Sequence, residues 1–532
     1  MQQGYLPFRN TGYFSSLICD YLDENPNLKQ FYNHFPTLGN FKTQIDDRAA
    51  SNLSSESQRS TLVSVLKKQY KNIETSEWSL QNIESLQSKD TFTITTGHQL
   101  NLFTGPLYFL YKIVSVINLS KELKETYPEY NFVPIYWMAT EDHDFDEINY
   151  FNFKGKKVQW NRESQGAVGE LSLEGLEDVF NLYSKELGTS KNADYLRKLF
   201  SNAYLNHTNL ADATRYLANE LFKDHGLVII DANDTDLKKQ FMPFMEDELL
   251  NQTAFKSVSE TNKNLSKDYS IQVNPREINL FYLKENLRER IVFEDDVYKV
   301  LNTEINWSKN DIQKELSEHP ERFSPNVIMR PLYQEVILPN LCYTGGGGEL
   351  AYWFQLKQFF NTVNVPFPIL LLRNSVLIKT EQQADKLKKL NISNEDIFLK
   401  RDTFINKKVR EISNINIDFS PQKIHLEAQF KELFKLAEQT DKSFVGAVKA
   451  QEVKQLKGLE NLEKRLLKSQ KKTLADQVFR ITELQEQLFP NKSLQERNAN
   501  FSEFYLEYGE RLIPNLIKNL EPLKGEFLIL NL

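Results

Sequence analysis

Five carboxylates and one imidazole fall within seven residues, Glu141-Asp142-His143-Asp144-Phe145-Asp146-Glu147. Crowding like charges raises the pKa of some carboxylates, which suits general-base work or a bound cation. The alternative is a solvated acidic loop. No second histidine has zinc-ligand spacing, so zinc is not expected, whereas Mg²⁺ bridged to phosphate is easier to accommodate. Gly97-His98-Gln99 and Thr104-Gly105-Pro106 stand shortly upstream. Glycines there admit a ligand to the backbone, and a helix start favours anions; a plain glycine turn with a helix cap is the alternative. The spacing matches neither the Walker pattern nor the dinucleotide fingerprint. Tyr343-Thr344-Gly345-Gly346-Gly347-Gly348-Glu349 carries four consecutive glycines whose amides could cradle an anion, or serve as a hinge. Cys342 beside it reads as a buried structural thiol before it reads as a nucleophile.

These residues stand at the ends of elements that must hold them. Thr91-Phe92-Thr93-Ile94-Thr95 reads as a strand ended by Thr96-Gly97. Thr104 is expected to cap the next helix, with Pro106 in its first turn and apolar residues from Leu107 to Ile117 at three- and four-residue steps. Val133 to Ala139 is a near-continuous apolar run, so strand, helix and strand form a parallel βαβ unit. Leu227-Val228-Ile229-Ile230 ends at Asp231, and Phe367 to Leu372 ends at Arg373-Asn374. Four parallel strands ending in polar residues define a ligand crevice at their carboxyl ends.

The fold class expected is α/β: a Rossmann-like parallel-sheet core with two connecting insertions and a C-terminal α-helical coiled-coil domain. The segments are a helical region (1–89), the first part of the core (90–160), insertion 1 (161–225), a core strand (226–235), insertion 2 (236–322), core with the glycine loop and last strand (323–377), a helical domain (378–495) and a returning segment (496–532). Ile291-Val292-Phe293 is assigned to a small accessory sheet. Leu467, Leu474, Ile481 and Leu488 recur every seven residues, with Val478 and Leu484 between. That stripe fits a coiled coil or helical hairpin, paired with the helix carrying Leu426, Phe430, Leu433 and Ala437. Phe527-Leu528-Ile529-Leu530 could return as a strand.

Composition bounds the function. The 532 residues carry a net charge of −7, against bulk nucleic-acid binding. Two cysteines, Cys19 and Cys342, give neither a disulfide framework nor a cysteine zinc site. Leu102 to Leu119 is interrupted by Pro106, Lys112, Ser115 and Asn118, so it reads as a buried amphipathic helix rather than a membrane span. The opening Met1-Gln2-Gln3-Gly4-Tyr5-Leu6-Pro7 has no basic start or apolar run, and the compartment expected is the cytoplasm.

Taken together the motifs resemble the bacillithiol-biosynthesis enzymes that act as cysteine ligases of the last step. The matching blocks are Thr96 to Gln99, Leu102 to Tyr108, Glu141 to Ile148, Phe323 to Val327, Arg330-Pro331-Leu332, Gly345 to Glu349 with Ala351-Tyr352-Trp353, and Arg373-Asn374-Ser375. Two positions depart: the family pattern has Gln at His98 and Pro at Gly347, which puts a required imidazole or a required amide at those places in doubt. The resemblance implies addition of cysteine to glucosaminyl malate through an amide, with ATP expected as driver, Mg²⁺ as an accompanying ion, no flavin, and a homodimer formed through the coiled coil. On the ligase reading, the convergence of the strand ends suggests that Asp142, His143 or Asp144 deprotonates or orients the attacking amine and that Arg373 neutralises charge in the activated intermediate. Gly97, His98, Gln99, Gly105, Tyr343, Gly345, Gly346, Gly348, Glu349 and Asn374 would hold phosphate or substrate, and Glu141 with Asp146 would carry Mg²⁺. The competing readings are a metal-dependent hydrolase or phosphotransferase, and a non-catalytic nucleotide-binding coiled-coil dimer.

Overall fold

The computed structural model describes residues 3–51, 53 and 55–532; Met1 and Gln2 of the opening segment lie outside them. The chain divides into two compact units, one of Met1–Ile378, Gln495–Leu530 and Leu532, the other of Lys379–Leu494 and Asn531.

The first unit is built on five strands: β1 (Thr91–His98), β2 (Asn131–Met138), β3 (Val228–Asp231), β4 (Asn340–Gly345) and β5 (Ile369–Leu372). They lie in the order β5-β4-β1-β2-β3, every pair parallel. The chain winds outward from β1 to β3, then crosses back to β4 and β5. Strand order therefore reverses between β1 and β4, which opens a crevice at their carboxyl ends. This is the expected Rossmann-like core, with one strand more than the apolar runs reveal.

The added strand is β4. Asn340 and Thr344 make it look like loop, yet it is buried along its whole length. Its polar groups are matched by the threonines of β1. Asn340 Oδ1 accepts from Thr93 Oγ1 at 3.1 Å and Thr95 Oγ1 at 2.8 Å, while Thr96 Oγ1 donates to the Thr344 carbonyl at 2.7 Å. Paired in this way, the polar side chains escape the penalty of unsatisfied burial.

The crossover helix α1 (Tyr108–Thr126) departs from expectation at its start and in its burial. Thr104 does not cap it. Phe103 and Thr104 have φ of 48° and 66°, and Gly105, at φ +60°, packs against Asn101, where a Cβ would stand 2.6 Å from Asn101 Cβ. Only after this tight turn does the helix begin, and the Leu107 amide finds its acceptor in the Ala499 carbonyl at 2.8 Å. Nor is α1 amphipathic: Phe109 through Ile117 are all buried. The C-terminal segment covers its outer face, where Asn118 Nδ2 donates to the Ile517 and Leu520 carbonyls at 2.8 and 2.7 Å.

The second insertion carries an antiparallel sheet ordered Asn306–Trp307, Val297–Val300, Leu287–Glu294, Leu280–Lys284 and Phe323–Pro325. Ile291-Val292-Phe293 lies in it. Glu526–Asn531 pairs antiparallel with Gln3–Pro7, so the apolar tail is a strand. Among the described residues no helix is long and apolar enough to cross a membrane.

The second unit is helical. A further α-helix of the core, α2 (Gly347–Phe354), precedes it in the chain; its own long helices are α3 (Ser420–Ala437), α4 (Lys442–Thr473) and α5 (Ala475–Leu488). Phe430 and Ala437 of α3 pack with Val448 of α4, as a helical hairpin requires. The heptad stripe is not one helix, because Leu474, at φ −99° and ψ 27°, separates α4 from α5. Across that break Leu467, Leu474 and Val478 pack with Val409 and Ile417 rather than with the Leu426 helix. Leu433 is exposed. The coiled-coil hairpin is present, with different partners for its stripe.

Candidate functional site

A cavity of about 600 Å³ opens in the first unit at the strand-order reversal. The ends of β1 and β2, the glycine loop leading into α2, and the residue after β5 all line it. Of the residues singled out by sequence, Gly97, His98, Gln99, Glu141, Asp142, Tyr343, Gly346, Gly348, Glu349 and Arg373 meet there. His143, Asp144, Asp146, Gly105, Gly345 and Asn374 are not part of the lining. Gly105 serves the turn before α1. Asn374 ties the end of β5 to α1 and the C-terminal segment, accepting from Ser115 Oγ at 2.9 Å and donating to the Glu521 carbonyl at 2.9 Å. Asp231, at the end of β3, accepts from Thr140 Oγ1 and binds the end of β2 in place.

One end of the cavity is cationic. The Lys112 side chain, 4% exposed, donates to Glu349 Oε2 and to the Gly97 carbonyl, each at 2.6 Å. Glu349 also accepts from Tyr343 Oη at 2.7 Å and from the Gly346 amide at 2.8 Å. Burial would raise the Glu349 pKa, but the neighbouring ammonium and these donors hold it below the usual carboxylate value. The Gly346 amide is thereby taken, while the amides of Gly347, Gly348 and Glu349, in the first turn of α2, have no intrahelical acceptor. Gly347 is the first helical residue, where proline is accommodated because that N–H is unpaired in any case.

Arg373 is 3% exposed and paired with the fully buried Glu496 at 2.8 Å. Its Nε has no partner and lies 3.8 Å from where a Cβ on Gly346 would stand. Arg330 sits between the rings of Trp137 and Tyr343, 6.0 and 5.6 Å from their centroids. Its hydrogen-bond acceptors are neutral, Gln334 Oε1 at 3.1 Å and Tyr352 Oη at 3.5 Å. Burial, with Lys112 nearby, drives the His98 pKa down to about 3, so this imidazole is neutral at physiological pH.

The other end is acidic. Asp142 accepts from Gln99 Nε2 at 3.0 Å and from the His143 amide at 2.8 Å, and Gln99 also donates to Glu147 Oε2 at 2.9 Å. Burial alone would raise the Asp142 pKa; the bonds from Gln99 and the His143 backbone amide and the charge of Arg288 outweigh it and hold the carboxyl well below its usual range. Arg288 comes from the accessory sheet and places Nη1 2.6 Å from His143 Nδ1. A guanidinium can only donate, so Nδ1 accepts and the imidazole is in its Nε2–H form.

Glu141 is engaged by the buried Lys238, and Asp146 is exposed outside the cavity, so the pair expected to carry Mg²⁺ does not converge. Among the described residues no group of three or more His, Cys, Asp or Glu side chains is placed to hold a metal ion. Cys342 is buried, with its thiol pKa pushed up by burial, as an inert structural thiol requires.

Sequence reasoning gave no site role to Lys112 or Arg288 and named Arg330 only within a family block. A lone lysine in the apolar run Leu107 to Ile117 was a signal for the first. For Arg288 there was none, since Leu-Arg-Glu-Arg-Ile reads as an ordinary half-exposed strand.

Family models account for nearly the whole chain. "Bacillithiol biosynthesis BshC, N-terminal Rossmann-like domain" matches residues 1–374, and "Bacillithiol biosynthesis BshC, C-terminal coiled-coil domain" matches residues 376–532. The chain is 62% identical over 527 residues to the protein of Flavobacterium johnsoniae named "Putative cysteine ligase BshC", covering 99% of each. Proteins of the same name in Flavobacterium psychrophilum and Bacillus mycoides are 59% and 28% identical, over 99% and 93% of this chain and 98% and 94% of their own.

Proposed function

The chain belongs to the BshC family of bacillithiol biosynthesis, and from that premise we propose that it is a cysteine ligase joining the carboxyl of L-cysteine to the amine of glucosaminyl malate, with ATP as driver. The observation that carries this reading is a single cavity with two opposite electrostatic ends. Amide formation needs a carboxyl activated as an acyl phosphate or acyl adenylate, and an amine delivered to it. The cysteine carboxylate oxygen attacks a phosphorus of ATP to form a mixed anhydride, with ADP leaving for an acyl phosphate or pyrophosphate for an acyl adenylate. The ammonium gives a proton to solvent, the amine nitrogen attacks the carbonyl carbon, the bond to the phosphate oxygen breaks with phosphate or AMP leaving, and the nitrogen releases its second proton.

The activated, anionic carboxyl suits the free amides of α2 and Arg373, whose charges are fixed before reaction. The sugar amine, arriving as an ammonium, suits Asp142. A carboxylate held so firmly ionised is a weak base, so Asp142 orients the amine rather than removing its proton. Gln99, bonded to both Asp142 and Glu147, fixes that geometry. His143 and Asp144 lie outside the lining and do not reach the reacting atoms.

A homodimer completes the reading. On the second unit Ile424, Leu436, Phe444, Val453, Leu462 and Phe479 are each about half or more exposed. Rows of exposed large apolar side chains on long helices are what a second copy of the same hairpin would cover.

Incubation of the purified protein with cysteine, glucosaminyl malate, ATP and Mg²⁺ tests the proposal, with product detected by mass spectrometry of the derivatised thiol. Bacillithiol with stoichiometric ADP, or with AMP, supports the ligase and names its activation route. Nucleotide-independent product, or none from folded protein, overturns it.

A further inference from the structure

The structure assigns Lys112 a catalytic role at the cationic end: we infer that its third N–H donates to the anionic oxygen resting on the free amides at the start of α2. This rests on the ligase reading for the identity of the anion, but its geometry stands apart from that reading.

Three observations converge. An ammonium has three N–H donors, and two of those on Lys112 are spent on Glu349 Oε2 and the Gly97 carbonyl. No third protein acceptor is present among the described residues, and the side chain lines the cavity. Next, the charges around it do not cancel. Glu349 pairs with Lys112 and also faces Arg330, whose hydrogen-bond acceptors are neutral, and Glu496 answers Arg373, so three buried cations meet two carboxylates and one positive charge is left over. An uncompensated buried charge is costly, and a bound anion removes that cost. Finally, Arg373, 97% buried, leaves Nε unpartnered beside Gly346, next to the same first-turn amides. Helix amides, a spare guanidinium N–H and a spare ammonium N–H thus border one small volume.

The groups facing Lys112 are Glu349 on α2, Arg330 on the helix Met329–Ile337, Arg373 after β5 and the neutral His98 on β1. Burial lowers the Lys112 pKa, Glu349 raises it, and Arg373 and Arg330 lower it further. The ammonium is therefore lost at a pH below that of a free lysine, and anion affinity should fall with it.

Sulfate, whose charge is constant across the range, is the probe, titrated calorimetrically into the full-length protein. Lys112→Met should weaken binding at least tenfold, while Glu349→Gln, which frees the ammonium, should tighten it. Asp142→Asn, at the acidic end, should not weaken it. Wild-type binding should decline on the alkaline side below the ordinary lysine pKa, which tests the inference even if Lys112→Met fails to fold. Undiminished binding by Lys112→Met, a flat alkaline profile, or no sulfate binding by the wild type overturns the inference. If wild type binds sulfate through Lys112 yet makes no bacillithiol, the ligase reading falls and this inference stands. If wild type makes product and Lys112→Met turns over equally fast, the inference alone falls.

Discussion

Gly97 has no side chain at the one point where a methyl group would stand 3.3 Å from Tyr343 Oη and 3.8 Å from Arg330 Nη1. Gly97→Ala should therefore fold, narrow the cavity and lower kcat/KM about tenfold, with little change in thermal unfolding. Asp142→Asn keeps shape but removes the charge that holds the ammonium, so a fall of about a hundredfold in kcat/KM is expected, within the range of a lost electrostatic contact. Glu335 gives a different reading at the same scale. It is buried beneath β4, accepts from Asn340 Nδ2 at 2.7 Å, and burial raises its pKa to about 7. Between its ordinary value and pH 7 the folded state holds a proton the unfolded state has lost. Stability from this group is full in acid and drains as pH rises to 7, at about 1.4 kcal/mol per pH unit. Denaturation of Glu335→Gln against wild type should show the variant gaining relative stability over that interval. In the sequence, residues at strand ends declared themselves because charge following an apolar run has few structural reasons to be there. Lys112 was legible only as an interruption of such a run, and Arg288 was hidden by ordinary strand alternation.

At the scale of elements, the glycines do unlike things. Those entering α2 leave amides open to a ligand, whereas Gly105 holds a backbone turn against Asn101 at positive φ. Gly105→Ala should cost about 2 kcal/mol or more in urea unfolding, from the strained φ and the clash together. Turnover per folded molecule should fall less than in Asp142→Asn, because the residue is outside the lining. Four of the five core strands were readable because each is an apolar or β-branched run of strand length. β4 was not, since its polarity makes sense only beside the threonines of β1, roughly 245 residues earlier in the chain. The seven-residue stripe was visible as a period, but the break at Leu474 depends on neighbours that a period does not describe.

For the whole molecule, the exposed apolar side chains of the second unit make a solution measurement decisive. Sedimentation of the wild type should give twice the chain mass, and a Leu436→Glu, Phe444→Glu double variant should sediment as one copy while remaining helical by circular dichroism. A monomeric wild type sinks the dimer. The change from a Rossmann-like core to a helical coiled-coil domain was legible as a change of texture along the chain. What covers α1 was not, because the C-terminal segment that does so is nearly four hundred residues away. That distance has a consequence for synthesis. The cavity takes in Gly97 and Arg497, about four hundred residues apart along the chain. At about 5 to 20 residues per second, a ribosome spends on the order of tens of seconds between them. Until β4 is made, roughly 245 residues after β1, the nascent chain displays β1 and β2 with no partner for β1's open edge, so the growing polypeptide is a client for chaperones before it can be a catalyst, and the cavity is complete only once Arg497 has followed.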